Sequence, residues 1–198
     1  MIKFTNLSQE IPYRRLKQKY DDAINAGQKN IEAISISSFS INSKEVNSRF
    51  VNLKFVDNND LIFFSNYDSL KSQDFQGHNQ ITALIYWNNI NTQIRLKALI
   101  KRTSVEVNKK YFLNRSEQKN ALAISSNQSK SIDSFKSVLE NYNKSLKLDN
   151  LKECPEYWGG YSFTPYYFEF WEGHESRLNK RDVYEFNEGD WDHCILQP

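Results

Sequence analysis

Near the C-terminus the run from Phe170 through Trp171, Glu172, Gly173, His174, Glu175, Ser176, Arg177, Leu178 and Asn179 to Lys180 and Arg181 sets a tryptophan beside alternating basic and polar residues. In an extended segment that spacing aims Arg177, Asn179 and Arg181 to one side. A guanidinium presents a fixed fork of donors suited to phosphate or carboxylate, and an indole offers a flat face for a planar ring. A solvated basic hairpin in which Trp171 closes over the core accounts for the same residues, so both readings stand at this point. Three more positive clusters lie upstream. Arg49 and Lys54 fall close together on one predicted strand, where isolated charges are usually solvated. Ser65, Ser69 and Lys71 surround a predicted helix start, where free backbone donors and an amine make a phosphate cradle, although capping alone explains the serines. Tyr111, Arg115 and Lys119 follow i, i+4, i+8 spacing, which on one helix face suits a second anion, or a solvated helix end.

Periodicity predicts the elements that must position these groups. Pro12 opens a helix carrying Tyr13, Leu16, Tyr20, Ala23 and Ile24 on one face, ended by Gly27. Alternation predicts strands over Ala33 to Ser40 and Ser48 to Val56, joined by the polar INSKEVN connection, with Arg49 and Lys54 at opposite parity. A third strand over Leu61 to Ser65 leads into a helix running toward Gly77, with Asn66, Asp68 and Ser69 as candidate caps. Ile81 to Trp87 and Thr92 to Lys101 form a strand pair, the second alternating Ile94, Leu96, Ala98 and Ile100 with Gln93, Arg95 and Lys97. Helices are predicted over Val105 to Asn114 and Ser131 to Leu146, the latter with an apolar stripe of Phe135, Val138, Leu139 and Tyr142, and Arg115 to Lys130 reads as a polar loop. The tail reads as strands over Tyr161 to Thr164, Tyr167 to Trp171, Val183 to Phe186 and Trp191 to Leu196. Many short strands with a few helices predict a mainly β fold, a barrel with peripheral helices in one domain over residues 1–198.

Composition narrows the classes of function. A hydrophobic share of 39% and a charged share of 25% exclude a disordered chain, and no apolar run is long enough to cross a bilayer. The net charge of +2 gives no reason to expect nucleic acid, so basic residues matter only where they cluster. Cys154 and Cys194 are too far apart for a CxxC motif and suit a reducing cytoplasm, while His78, His174 and His193 lack paired ligand spacing, so no metal is expected. The N-terminal residues lack the apolar core of a signal peptide.

The order of the motifs resembles the pyridoxamine 5'-phosphate oxidase family. The resemblance is carried by RFVNLK from Arg49 to Lys54, FFSNYDSLK from Phe63 to Lys71, Gln93, YFLNR from Tyr111 to Arg115, and the Gln128 and Ser129 pair. It continues through WGGY from Trp158 to Tyr161, and EFWEG followed by SRLNKR from Glu169 to Arg181. It implies an FMN-binding split β-barrel and a homodimer whose sites draw on two subunits, with residues from about 158 to 198 in dimerisation and the substrate site. It implies that Arg49, Ser65 and Lys71 hold the FMN phosphate, with Lys54 and Phe64 also on the cofactor, while Gln93, Gln128, Ser129, Trp171 and Arg181 hold the rest of the flavin. It further implies that Lys54, Tyr111, Arg115 and Lys119 hold the phosphate of a B6 vitamer, with Arg177 and Asn179 at its ring in the catalytic position.

The departures from the family pattern concentrate at the substrate. The family's RLHDR reads Arg177, Leu178, Asn179, Lys180, Arg181 here, so a histidine has become Asn179, which cannot carry a proton charge. Lys119 stands where a serine is expected, Leu70 where an arginine precedes the FMN lysine, and Phe64 where a tyrosine is usual. The implied activity is oxidation of pyridoxamine or pyridoxine 5'-phosphate to pyridoxal 5'-phosphate with oxygen as acceptor, giving hydrogen peroxide. The alternatives are a split-barrel flavoenzyme with another substrate, and a non-catalytic binder of FMN or pyridoxal phosphate.

Overall fold

The computed structural model describes residues 1–198. In chain order the elements are β1 (Lys3–Thr5), α1 (Ile11–Asn25), β2 (Ala33–Ser40), β3 (Glu45–Asn52), β4 (Phe55–Asp57), β5 (Asp60–Asn66), α2 (Leu70–Gly77), β6 (Gln80–Trp87) and β7 (Thr92–Arg102). Then come α3 (Val105–Leu113), α4 (Glu117–Ser125), α5 (Phe135–Ser145), β8 (Trp158–Glu172), β9 (Lys180–Asn187) and β10 (Asp190–Ile195). The strands form one sheet in the order β1-β4-β5-β8-β7-β6-β2-β3, antiparallel except between β1 and β4.

Strand β8 organises this sheet. One edge pairs with β7 from Thr92↔Glu172 to Arg102↔Tyr161. The other edge is shared, with β5 on Trp158 to Phe163 and β9 on Tyr167 to Glu172, so the sheet forks around Pro165. At the far end the chain turns from β3 into β4, and the Leu53 amide donates to Glu32 O (2.8 Å) and the Lys54 amide to Ile62 O (2.8 Å), drawing the barrel together. Inward residues of alternate parity, among them Ile34, Ile36, Leu61, Phe63, Ile94, Leu96, Phe163 and Phe168, are completely buried. Helix α1 lays Tyr13, Leu16, Tyr20 and Ala23 onto that core. It is also tied to the sheet by charge. Arg15 donates to Asp182 (2.5 Å) and lies over the Phe170 ring. Burial opposes the Asp182 charge, but hydrogen bonds from Arg15, Lys180 and His193 outweigh it and hold the carboxyl at about 2.

Several sequence expectations are corrected by packing. The tail strands expected over Tyr161 to Thr164 and Tyr167 to Trp171 are one strand, β8. Pro165 does not break it because the register shifts between Lys97 and Ala98 at that point and β8 changes partner there. The strand expected over Ser48 to Val56 is two, β3 and β4, parted at Leu53 and Lys54. The polar loop expected from Arg115 to Lys130 contains α4, which has no apolar stripe to reveal it. Its anchor is the fully buried Asn120, whose amide donates to Phe112 O (3.0 Å) and Leu151 O (2.8 Å). Helix α5 starts at Phe135 rather than Ser131, capped by Ser134 Oγ, and its stripe is not buried: Phe135 and Leu139 are exposed. No helix is long and apolar enough to cross a membrane.

Candidate functional site

The end of β5 and the start of α2 build a cationic cradle. Lys71 is only 8% exposed, and its Nζ donates to Ser65 Oγ (2.9 Å) and Ser69 Oγ (3.0 Å), with no carboxylate within ion-pair distance. Burial, reinforced by the charge of Arg49, pushes its amine down to about 8. Ser69 stands at the expected N-cap position of α2, but its side chain caps no backbone amide; its hydroxyl donates to Asn66 O (2.8 Å) and accepts from Lys71. Arg49 donates to Ser38 Oγ (2.7 Å), Ile36 O (3.3 Å) and Asp74 Oδ2 (3.4 Å), and burial lowers its pKa against the pull of Asp74. Ser65 Oγ also donates to Gln128 Oε1 (3.3 Å), linking this cradle to the loop after α4.

A second cluster shares the same opening. Lys54, Ser65, Lys71, Tyr111, Arg115 and Lys119 line one cavity of about 280 Å³, with Phe64, Gln128 and Trp158 also on its wall. Arg49 and Lys54 thus serve different clusters, because the chain turns at Leu53 and parity along one strand no longer applies. Tyr111, Arg115 and Lys119 do not share one helix either: Tyr111 is in the last turn of α3, Arg115 lies in the turn that follows, and Lys119 is in the first turn of α4. Burial lowers the pKa of Arg115, which lies 4.4 Å over the Trp158 ring, and raises that of Tyr111. Three nearly parallel rings form the apolar wall, with the Phe64 centroid 3.7 Å from that of Tyr111 and 5.4 Å from that of Trp158.

What holds α3 and its Tyr111 in place is a buried polar knot under the two glycines of WGGY. Asn108 Oδ1 accepts from the Gly160 amide (2.7 Å) and Thr103 Oγ1 (2.6 Å), and its Nδ2 donates to Tyr67 Oη (3.0 Å). A Cβ on Gly159 would fall 2.2 Å from Tyr67 Oη and 2.3 Å from Asn108 Nδ2. Asn108 was missed in the sequence, and its signal was a polar residue four before Phe112 on the buried face of α3.

The remaining candidates form a second group. Gln93, Trp171 and Arg181 are register partners across β7, β8 and β9, one row over three strands, and none of them lines the 280 Å³ cavity. Arg181 Nε donates to Glu169 Oε1 (2.8 Å), while Arg95 Nε donates to Glu169 Oε2 (3.0 Å). Burial opposes the Glu169 charge, but Arg181 and Arg95 outweigh it and lower its pKa. Arg177 and Asn179 lie in the loop before β9 rather than on an extended segment, so the expected alternation with Arg181 does not occur. Arg177 has a left-handed backbone (φ 61°), and the loop is closed by the His174 amide donating to Asn179 Oδ1 (3.0 Å). Ser129 is exposed, also left-handed (φ 71°), in the turn beside Gln128.

The chain is 30% identical over 194 residues to a pyridoxine/pyridoxamine 5'-phosphate oxidase of Colwellia psychrerythraea, covering 96% of this chain and 88% of that one. The chain belongs to the pyridoxine/pyridoxamine 5'-phosphate oxidase family. Members of this family are oxidoreductases. Residues 158–198 match the model of the pyridoxine 5'-phosphate oxidase C-terminal dimerisation region. A family member from Vesicomyosocius okutanii is 33% identical over 132 residues, 66% of this chain and 62% of that one, less than two thirds of its length. Among solved structures, PhzG from Burkholderia lata 383, in complex with tetrahydrophenazine-1-carboxylic acid, superposes with a TM-score of 0.89 at 24% identity, covering 94% of this chain and 92% of that one. A pyridoxamine 5'-phosphate oxidase-related, FMN-binding protein from Nostoc punctiforme gives 0.80 at 14% identity, covering 95% and 98%. These likenesses establish the split-barrel fold.

Proposed function

We propose that residues 1–198 act as one FMN-binding unit that oxidises pyridoxamine or pyridoxine 5'-phosphate to pyridoxal 5'-phosphate. The observation that carries this reading is the single cavity in which buried Lys71 on one side and Lys54, Arg115 and Lys119 on the other flank a wall of aromatic rings. Two phosphorylated ligands need two sets of charge-assisted donors. A phosphate also fits the donor set: buried Lys71 is balanced by nothing but hydroxyls, and an anion would restore its full charge.

On this reading Lys71, Ser65 and Arg49 hold the FMN phosphate, and Phe64, Gln128 and Ser129 hold the neighbouring part of the cofactor. Gln93, Trp171 and Arg181 hold the remainder. When bound, the flavin supplies a two-electron acceptor for the C4' hydrogen, and oxygen carries the electrons on to hydrogen peroxide. The alcohol and oxygen then yield aldehyde and peroxide; the amine also consumes water and releases ammonia. The chain itself binds and orients. Lys54, Arg115, Lys119 and the Tyr111 hydroxyl fix the substrate phosphate, and Arg177 covers its ring, so the C4' carbon is presented in one pose.

A homodimer completes the site in this proposal. Phe50 on the rim of the cavity is 76% exposed, Val46 on the same strand is 70% exposed, and Leu178 in the C-terminal region is 69% exposed. Apolar groups of that size in water suit burial by a second subunit. The two free thiols, Cys154 and Cys194, suit a reducing cytoplasm.

A second reading, a split-barrel flavoenzyme with another substrate, is favoured by Asn179, whose carbonyl closes its own loop. Anaerobic mixing of the flavin-loaded protein with pyridoxine or pyridoxamine 5'-phosphate decides between them. Bleaching of the flavin and aldehyde formation are expected; bound flavin with turnover of neither substrate would overturn the first reading.

A further inference from the structure

Beside Lys71, the cavity wall holds three further positive charges, one more than a phosphate dianion needs. Lys54, Arg115 and Lys119 converge on it from the turn after β3, the turn after α3 and the first turn of α4. Glu32 is the sole carboxylate within ion-pair reach of any of them, 3.8 Å from Lys54 Nζ and shared with the N-terminal ammonium at 3.6 Å, and neither Arg115 nor Lys119 has an acidic partner. Arg115 spends one hydrogen bond on Asn120 (3.3 Å) and lays its face on Trp158, leaving further donors of its fork free.

We propose that Lys119 is a specificity-determining residue, which with Lys54 and Arg115 makes this cavity select a doubly charged head group over a singly charged one, with Glu32 as the internal counter-ion that sets the threshold. The proposal rests on the assignment of this cavity to the substrate's head group. Its physical basis is mutual repulsion. Burial lowers the Lys54 pKa and Glu32 opposes that, while Lys119 and Arg115 lower it further, so the three cations already work against one another. An incoming dianion relieves all three at once. With Glu32 set against one of the three cations, a dianion neutralises the remainder and a monoanion leaves the group net positive. A hydroxyl at position 119 would hydrogen-bond either head group equally and would not discriminate by charge. Two opposite effects follow. Removing the Lys119 charge costs affinity for the dianion more than for the monoanion, and removing the Glu32 charge frees Lys54 and strengthens dianion binding.

The test uses full-length, FMN-loaded protein and calorimetric binding of two ligands with the same ring. Pyridoxal 5'-phosphate carries close to two charges at pH 7.5, since the second ionisation of a phosphate monoester lies at about 6. Its methyl phosphodiester carries one at any pH used. The wild type is expected to prefer the monoester by about tenfold or more at pH 7.5 and to lose most of that preference by pH 5. Lys119→Ser, at an exposed position, is expected to reduce the preference about tenfold by weakening the monoester. Glu32→Gln is expected to tighten the monoester about threefold. A preference unchanged in Lys119→Ser, or both ligands weakened alike, would overturn the proposal. Flavin bleaching is read separately. A protein that turns over substrate with a preference indifferent to Lys119 keeps the proposed function and loses this inference, whereas one that shows the preference without bleaching keeps this inference and loses the oxidase.

Discussion

Lys71 is where a single residue says most about the molecule. A lysine held by two hydroxyls and no carboxylate is costly in the free protein, and that cost has a pH signature. The unfolded chain keeps this amine protonated up to its ordinary value of 10.5, the folded chain only to about 8. Between those values the unfolded state binds more protons, so ligand-free stability rises with pH across that window, and below it the penalty is present in full. Urea denaturation from pH 7.5 to 10 should show this rise in the wild type and not in Lys71→Met. A phosphate beside the amine would keep it charged, so FMN affinity, followed by flavin fluorescence quenching, should fall as pH climbs above 8. An affinity flat from pH 7 to 10 would remove Lys71 from the phosphate site. The sequence pointed to Lys71 because serines and a lysine at a helix start have local meaning. It could not show that Ser69 serves the lysine rather than the helix, since that depends on burial.

At the scale of elements, the junction of α3 with β8 places half of the cavity. Asn108 satisfies three groups around it, and Tyr111 and Arg115 follow it along the same helix and turn. Asn108→Ala strands the Gly160 amide and the Thr103 hydroxyl, while Tyr67 Oη keeps its bond to Gly160 O, and should cost on the order of 2–3 kcal/mol in chemical denaturation. Because the cradle around Lys71 sits on β5 and α2 instead, the same variant should weaken pyridoxal 5'-phosphate more than FMN, and equal loss of both in calorimetry would contradict this division of labour. The WGGY motif was legible in the sequence as a landmark, but its reason is steric: a Cβ at Gly159 has no room between Tyr67 and Asn108. Helix α4 was illegible because its anchor is one buried amide rather than an apolar stripe. Pro165 misled for the opposite reason, a strong local signal overruled by a bulge and a change of partner strand.

For the whole molecule, the question is why the row of Gln93, Trp171 and Arg181 lies outside the cavity that holds the other candidates. In the proposed homodimer the two groups would come from different subunits, with exposed Phe50 at the seam. Phe50→Glu should therefore give a folded monomer by sedimentation, with unchanged circular dichroism and FMN affinity reduced at least tenfold. A dimer that persists with full affinity would move the seam elsewhere. By itself the sequence determined a mainly β barrel with peripheral helices, because strand alternation and turn residues are local patterns; its motif order added the resemblance to a split-barrel family, and clustered cations singled out most of the candidate residues. Only the tertiary structure decided that Lys54, Lys71, Arg115 and Lys119 share one cavity, that Arg177 and Asn179 occupy a loop, and that Glu32 answers Lys54. Those are contacts between residues distant in the chain, set by register and burial, and no spacing along the sequence encodes them.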